Sequence, residues 1–245
     1  MKILIIGIGS EIAYHTALAY AKGGNDLYCT SRSFDNSNKI VEDLKIRSNN
    51  KNIVPYEFVP TDLSSHKLFF DRLILENGLP DLILIAYGSL PDNEKIKRNF
   101  TLINEEFNTN FISGSSIVNY FSNKFEEKNS GTIAVISSVA GDRARGSNYI
   151  YGTAKGALSL FLQGVRSSLS GTKVKIITIK PGFVDTKMTS HLPKSFLFAK
   201  PEKVATDIIN GIKKGKDVIY TPKFWFLIMF LIKLLPESIF KKLKF

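Results

Sequence analysis

Tyr151 and Lys155 stand four residues apart, and Ser138 stands thirteen residues before the tyrosine. On a helix, i and i+4 share one face, a turn apart. An ammonium beside a phenol favours the phenolate and lowers a pKa that is about 10 in isolation. Such a pair is an acid/base usable near neutral pH. Ser138 follows the strand-like run Thr132-Ile133-Ala134-Val135-Ile136 and can hydrogen-bond a substrate oxygen beside the phenol. Tyr120 and Lys124 repeat the spacing, but thirteen residues before Tyr120 is Phe107, which donates nothing. That second pair reads as helix surface.

The elements that must position these groups alternate along the chain. Strand-like runs cover residues 2–6, 26–30, 53–60, 81–86, 132–137, 173–179 and 218–220. Between them, helical patterns run from the glycine turn at 7–13 to about Lys22, over 103–124, and from Tyr151 to about Leu169. Residues 35–52 read as a short helix and a loop. The alternation predicts the α/β class, a Rossmann-type doubly wound parallel sheet with helices on both faces. It forms a single domain over 1–223, followed by an apolar and basic tail over 224–245.

Composition narrows the function. A chain of 245 residues, 44% apolar and 22% charged, suits one domain with a substantial core. The lone cysteine, Cys29, excludes an internal disulfide and reads as a buried, inert thiol. His15, His66 and His191 are scattered, so no metal is expected. The apolar run after Lys2 leads straight into a glycine turn with no cleavage site, and reads as a buried strand rather than a signal peptide. Of the net charge of +11, +8 falls after residue 186, where twelve lysines face four acids. With no nucleic-acid motif, a basic end beside an apolar run suggests an anionic membrane; a lysine-rich solvated surface is the alternative.

Gly7-Ile8-Gly9-Ser10-Glu11-Ile12-Ala13 opens a helix after the first strand. Glycines there admit backbone amides to a pyrophosphate, and the helix N-terminus attracts the anion. After the second strand comes Arg32 instead of an acid, which suits a 2′-phosphate and favours NADP(H) over NAD(H), with NAD(H) still open.

With these motifs in order, the chain from Met1 to about Lys216 resembles the short-chain dehydrogenases/reductases. The resemblance implies that Tyr151 is the acid in ketone reduction. Lys155 would lower its pKa and bind the nicotinamide ribose, Ser138 would polarise the carbonyl, and Asn110 would hold a water in the proton relay. It also implies that Asp62 and Leu63 flank the adenine, that Gly88 closes on the cofactor, and that Pro181, Gly182, Val184 and Thr186 lie near the carboxamide. A homodimer or homotetramer joined on the 103–124 and 151–169 helices is implied as well. Two departures stand out. Glu11 and Ala13 replace glycines, so the Glu11 acid must point away from a pyrophosphate; Ile85-Ala86-Tyr87-Gly88 replaces Asn-Asn-Ala-Gly.

The stretch from Ala140 to Tyr149, with Glu11 in a Ser-Glu-Ile context, resembles the decaprenylphosphoryl-2-keto-pentose reductases. That implies a polyprenyl-phosphate keto sugar as substrate, with Arg143 and Arg145 on its phosphate and Ser147 and Asn148 on sugar hydroxyls. Two exposed loop arginines are the plainer reading. Phe224 to Ile232 holds no polar residue, and the run reaches Leu235 interrupted only by Lys233. Twelve helical residues span about 18 Å, short of a bilayer core of about 30 Å. An interfacial anchor is therefore expected, with Trp225 at headgroup depth and Ile239, Phe240, Leu243 and Phe245 alternating with Lys241, Lys242 and Lys244. A subunit contact is the alternative. The chain is thus expected to work in the cytoplasm, peripherally on the inner face of the cell membrane. Other hydrophobic ketones (acyl or steroid-like) remain as alternative substrates, and a catalytically silent dinucleotide-binding scaffold as an alternative class.

Overall fold

Side chains alternate across a strand, which sorts the first apolar run into two faces. Ile3 and Ile5 join one core and Leu4 and Ile6 the other, all fully buried. A strand covered on both sides belongs in a parallel sheet. The computed structural model describes residues 1–243 and contains such a sheet. β1 (Lys2–Ile6), β2 (Asp26–Ser31), β3 (Ile53–Glu57), β4 (Leu82–Ile85), β5 (Gly131–Ile136), β6 (Val174–Pro181) and β7 (Val218–Thr221) run parallel in the order β3-β2-β1-β4-β5-β6-β7.

Helices α1 (Glu11–Lys22), α2 (Phe34–Ser48) and α8 (Pro201–Lys213) cover the face that holds Ile3, Ile5 and Cys29. Burial pushes the Cys29 thiol up to about 12, so it is inert as expected. Helices α3 (His66–Asn77), α6 (Ser113–Lys128) and α7 (Tyr149–Ser168) cover the other face, where Phe70, Phe121 and Phe125 are wholly buried. Each such ring contributes about 1.5–3 kcal/mol. The strand order reverses between β1 and β4, and in open sheets of this kind the crevice at the strands' carboxyl ends is where ligands bind.

Two expectations need correction, and one helix lies where no element was expected. The polar stretch after β2 is mostly helix: α2 has 15 residues and ends at Asn49 in the left-handed region. A further helix, α4 (Asn93–Arg98), is capped by the Asp92 carboxylate, which accepts from the Glu94 and Lys95 amides. The single helix expected over 103–124 is two, α5 (Thr101–Phe107) and α6, joined by a π turn at Asn108–Ile112. A π turn inserts one residue into the helical phase and marks functional sites more often than not. Here Asn110 lies at its centre, buried.

Beyond β7, α9 (Phe224–Leu234) and α10 (Glu237–Phe240) fold back on the body instead of leaving it. Among the described residues no helix is long and apolar enough to cross a membrane. Lys244 and Phe245, read above as the last of the tail's alternating residues, lie outside the described residues.

Candidate active site

A cavity of about 1150 Å³ opens at the carboxyl ends of β1, β4, β5 and β6. One arm runs under the turn between β1 and α1. Gly7, Gly9, Ser10, Glu11 and Ile12 line it, as do Arg32, Gly88, Pro181, Gly182, Val184 and Thr186. Ser10 is the N-cap of α1 but makes no side-chain cap bond, so the helix dipole faces the cavity. The Glu11 carboxylate accepts the Lys187 amide at 3.3 Å, which turns its charge toward the β6 loop. The Thr30 hydroxyl, on the wall of this arm, is buried without a partner. An open helix terminus, a wall hydroxyl and the exposed Arg32 form a donor set that fits a dinucleotide with a phosphorylated ribose.

Asp62 and Leu63 do not reach this arm; Pro60 and Thr61 line it in their place. The Asp62 carboxylate is bound by Ser64, at 2.6 Å, within its own turn. Ile85 and Ala86 stand where the resemblance has asparagines, and Tyr87, in place of the alanine, shares a hydrogen bond with Ser113 at 2.7 Å. Burial drives its phenol well above the ordinary range, so it is a structural strut between β4 and α6.

Three of the four expected catalytic residues, Ser138, Tyr151 and Lys155, line the other arm. Ser138, two residues beyond the end of β5, hydrogen-bonds the Tyr151 phenol. Lys155 lies one turn along α7, with Nζ 6.0 Å from the Tyr151 ring centroid and donating to the Ile136 carbonyl at 3.2 Å. Asn110, the fourth, is buried on the π turn beside Gly88 and is not part of the cavity wall. Gly88 permits this crowding: a Cβ there would stand 2.7 Å from Asn110 Oδ1 and 3.3 Å from Lys155 Nζ. Tyr120, the control, lies elsewhere and donates to Asp71 at 2.5 Å, while Lys124 pairs with Glu127.

The expected electrostatics are reversed for the phenol. Burial pushes Tyr151 up to about 12, and the Ser138 hydrogen bond and the Arg145 charge only partly offset it. Burial also pushes Lys155 down to about 8, against the Glu106 charge that raises it. Desolvation outweighs the pairing because both groups are out of water. The consequence suits reduction: at neutral pH the phenol keeps the proton it must give away.

The substrate side differs more from expectation. Arg143 lines the cavity, but its guanidinium is committed to the tail. Nη1 donates to the carbonyls of Ile232, at 2.7 Å, and Leu235, at 2.6 Å, Nη2 pairs with Glu237 at 3.0 Å, and the group stacks 3.8 Å over the Phe240 ring. A planar fork caps the end of α9 in a way that a solvated loop arginine would not. Arg145 lines the cavity and lies 5.7 Å from the Phe183 ring centroid; burial lowers its pKa, and its charge acts on Tyr151. Asn148 also lines the cavity, with Oδ1 buried and without a partner. Ser147 is exposed and outside the cavity wall.

Two groups were not read from the sequence as parts of the site. Trp225, expected at headgroup depth, is buried instead, and with Ile228, Met229 and Ile232 along one face of α9 it forms an apolar roof over the catalytic arm. Gly182 allows it: a Cβ there would stand 1.9 Å from the Trp225 indole nitrogen. In a helix with no polar residue for nine positions, periodicity cannot say which face turns inward. The second is Glu106, four residues before Asn110, whose charge at i−4 was the available signal. Among the described residues no three side chains converge as metal ligands.

Comparison with known proteins agrees with this geometry. Residues 1–195 match the short chain dehydrogenase family. An uncharacterized oxidoreductase of Mycobacterium tuberculosis is 30% identical over 189 residues, 76% of this chain and 75% of the relative. An 11-beta-hydroxysteroid dehydrogenase-like 3 protein of Arabidopsis thaliana is 29% identical over 239 residues, 93% of this chain and 75% of that one. A short-chain dehydrogenase from Sphingobium yanoikuyae, solved in complex with NADPH, shares the fold with a TM-score of 0.82 at 18% identity, covering 97% of each chain. This chain belongs to the short-chain dehydrogenases, as an NAD(P)-dependent oxidoreductase.

Proposed function

We propose that the protein uses NADPH to reduce the carbonyl of a lipid-linked substrate at an anionic membrane surface, a polyprenyl-phosphate keto sugar being the best fit. The observation that carries this reading is the double face of α9. Its inner face roofs the catalytic arm, while Phe226, Leu227, Phe230, Leu231 and Leu234 on its outer face are 48–65% exposed. Large apolar side chains gain about 1.5–3 kcal/mol each when covered. Lys223, Lys233, Lys241 and Lys242 surround them and match an anionic surface, at about 1 kcal/mol each. Arg145 and the Asn148 carbonyl oxygen supply, beside Tyr151, a cation for a phosphate and an acceptor for a sugar hydroxyl. Arg32 and the NADPH complex of the Sphingobium protein support the choice of cofactor.

The bound dinucleotide supplies the hydride. Ser138 orients the carbonyl oxygen, Tyr151 gives it a proton, and Lys155 steadies the phenolate left behind. The roof excludes water from that transfer.

The test is NADPH consumption with a lipid-linked keto-pentose formed in situ by an oxidase, beside an acyl ketone and a steroid ketone. Preferred turnover of the keto sugar supports the reading. Turnover of the neutral ketones alone would favour a second reading, to which the likeness to an 11-beta-hydroxysteroid dehydrogenase-like protein points. Co-sedimentation with anionic liposomes tests the surface. Binding should weaken at high salt and in a Leu227→Gln, Phe230→Gln, Leu231→Gln variant. If that variant instead shifts from dimer to monomer with no change on liposomes, the face is a subunit contact.

A further inference from the structure

Glu106 is a carboxylate buried beside the catalytic lysine, and the chemistry described so far gives it no task. It is 5% exposed, at the end of α5. One oxygen accepts from the Asn110 amide in a short hydrogen bond. The other accepts from the Ser89 hydroxyl at 2.8 Å. Asn110 is tied again to Ser89, whose amide donates to Oδ1 at 3.3 Å and whose carbonyl accepts from Nδ2 at 3.1 Å. Through Gly88 this cluster abuts Lys155 Nζ. The charges bearing on the group are few. Among the described residues Glu106 is the acid whose field reaches Lys155, and it also reaches Tyr151, on which Arg145 acts with the opposite sign. Both carboxylate oxygens act as acceptors, one for Asn110 and one for Ser89; a glutamine would keep one acceptor and put an amide donor in place of the other. Burial raises the Glu106 carboxyl above the ordinary range, while the hydrogen bonds from Ser89 and Asn110 and the Lys155 charge draw it back toward the carboxylate, so the charges of Glu106 and Lys155 support each other.

We propose that Glu106 is a positioning residue for the proton transfer, fixing the Asn110 amide and holding Lys155 as an ammonium by balancing its charge in a dry site. In the reduction, the O–H bond of Tyr151 breaks as the new O–H bond of the alcohol forms, while hydride reaches carbon. The phenolate then needs a cation beside it, and a neutral amine would not serve. The inference concerns any ketone the enzyme reduces, so it stands apart from the lipid reading.

The sign is fixed by which protonated forms Glu106 favours. Its charge raises Lys155, and it raises Tyr151 as well. Removing it lowers both, so loss of activity on the alkaline side begins at lower pH. The test is kcat against pH for ketone reduction by full-length wild type and Glu106→Gln. The alkaline limb should move down by about one unit or more, the size an adjacent opposite charge imposes. KM for NADPH should stay the same. Lower activity with an unmoved limb would mean a purely structural role and would overturn the proposal. If Glu106→Gln does not fold, Ser89→Ala decides. It strips one donor from the carboxylate, so Glu106 ionises less readily and the limb should move in the same direction by a smaller step. An unmoved limb there overturns it equally.

Discussion

The floor and the roof of the cavity are built on different physics. On the floor, side chains are fixed by directional bonds to backbone that the sheet already holds: Ser137 Oγ donates to the Lys155 carbonyl at 3.0 Å, and Lys155 Nζ to Ile136. The roof is fixed by contact. Trp225 meets Phe183 edge to face at 5.7 Å, Met229 packs beside it, and one arginine ties down the far end of the helix. Hydrogen bonds specify angles, which a proton transfer requires. Apolar packing specifies only volume and surface. On the proposed reading the floor sets the reaction and the roof sets which molecules undergo it.

The largest effect expected is on the floor. Tyr151→Phe should cut ketone reduction by about 10²–10⁴-fold, the usual loss of a general acid, while thermal melting and NADPH binding stay near wild type. Tyr120→Phe, with the same spacing to a lysine but bound to Asp71, should leave activity unchanged. Equal activities for wild type and Tyr151→Phe would break the division between floor and roof at its base. Next comes the cofactor arm. Arg32→Ala should weaken NADPH, but not NADH, by on the order of 1.5–3 kcal/mol in binding titrations. A smaller effect belongs to the roof's latch. Arg143→Lys keeps the charge and loses the fork, so α9 should be cut faster in limited proteolysis. The loss lies near the low end of about 1.5–3 kcal/mol, because Glu237 is exposed. Turnover of small, soluble ketones should be unaffected. If Arg143→Lys instead raised KM for a phosphate-bearing substrate with no change in proteolysis, Arg143 would be a phosphate ligand, as first read from its place after Ser138.

The floor was legible because its residues are spaced by the geometry of regular elements. Tyr151 to Lys155 is one helical turn, Ser138 follows a strand by two residues, and Gly7 to Ala13 is a strand-to-helix turn. The sheet was legible for the same reason, since its strands are apolar runs punctuated by glycine and polar residues. Three things were not. The π turn at Asn108–Ile112 leaves no compositional trace, since one extra residue per turn is a matter of hydrogen bonding. The sign of the Tyr151 shift depends on how dry the site is, and spacing does not carry that. The task of Arg143 depends on where α9 ends, 89 residues or more away in the chain.

Whether α9 is a wall of the substrate site is tested most directly by a homologous series of linear methyl ketones, with kcat/KM measured at saturating NADPH for wild type and Ile228→Ser. A roof that binds the chain predicts a rise of about fourfold per added methylene in wild type, corresponding to about 0.8 kcal/mol each. The same series should climb less steeply in Ile228→Ser. A kcat/KM that is flat with chain length, or a slope unchanged by the serine, would contradict the account.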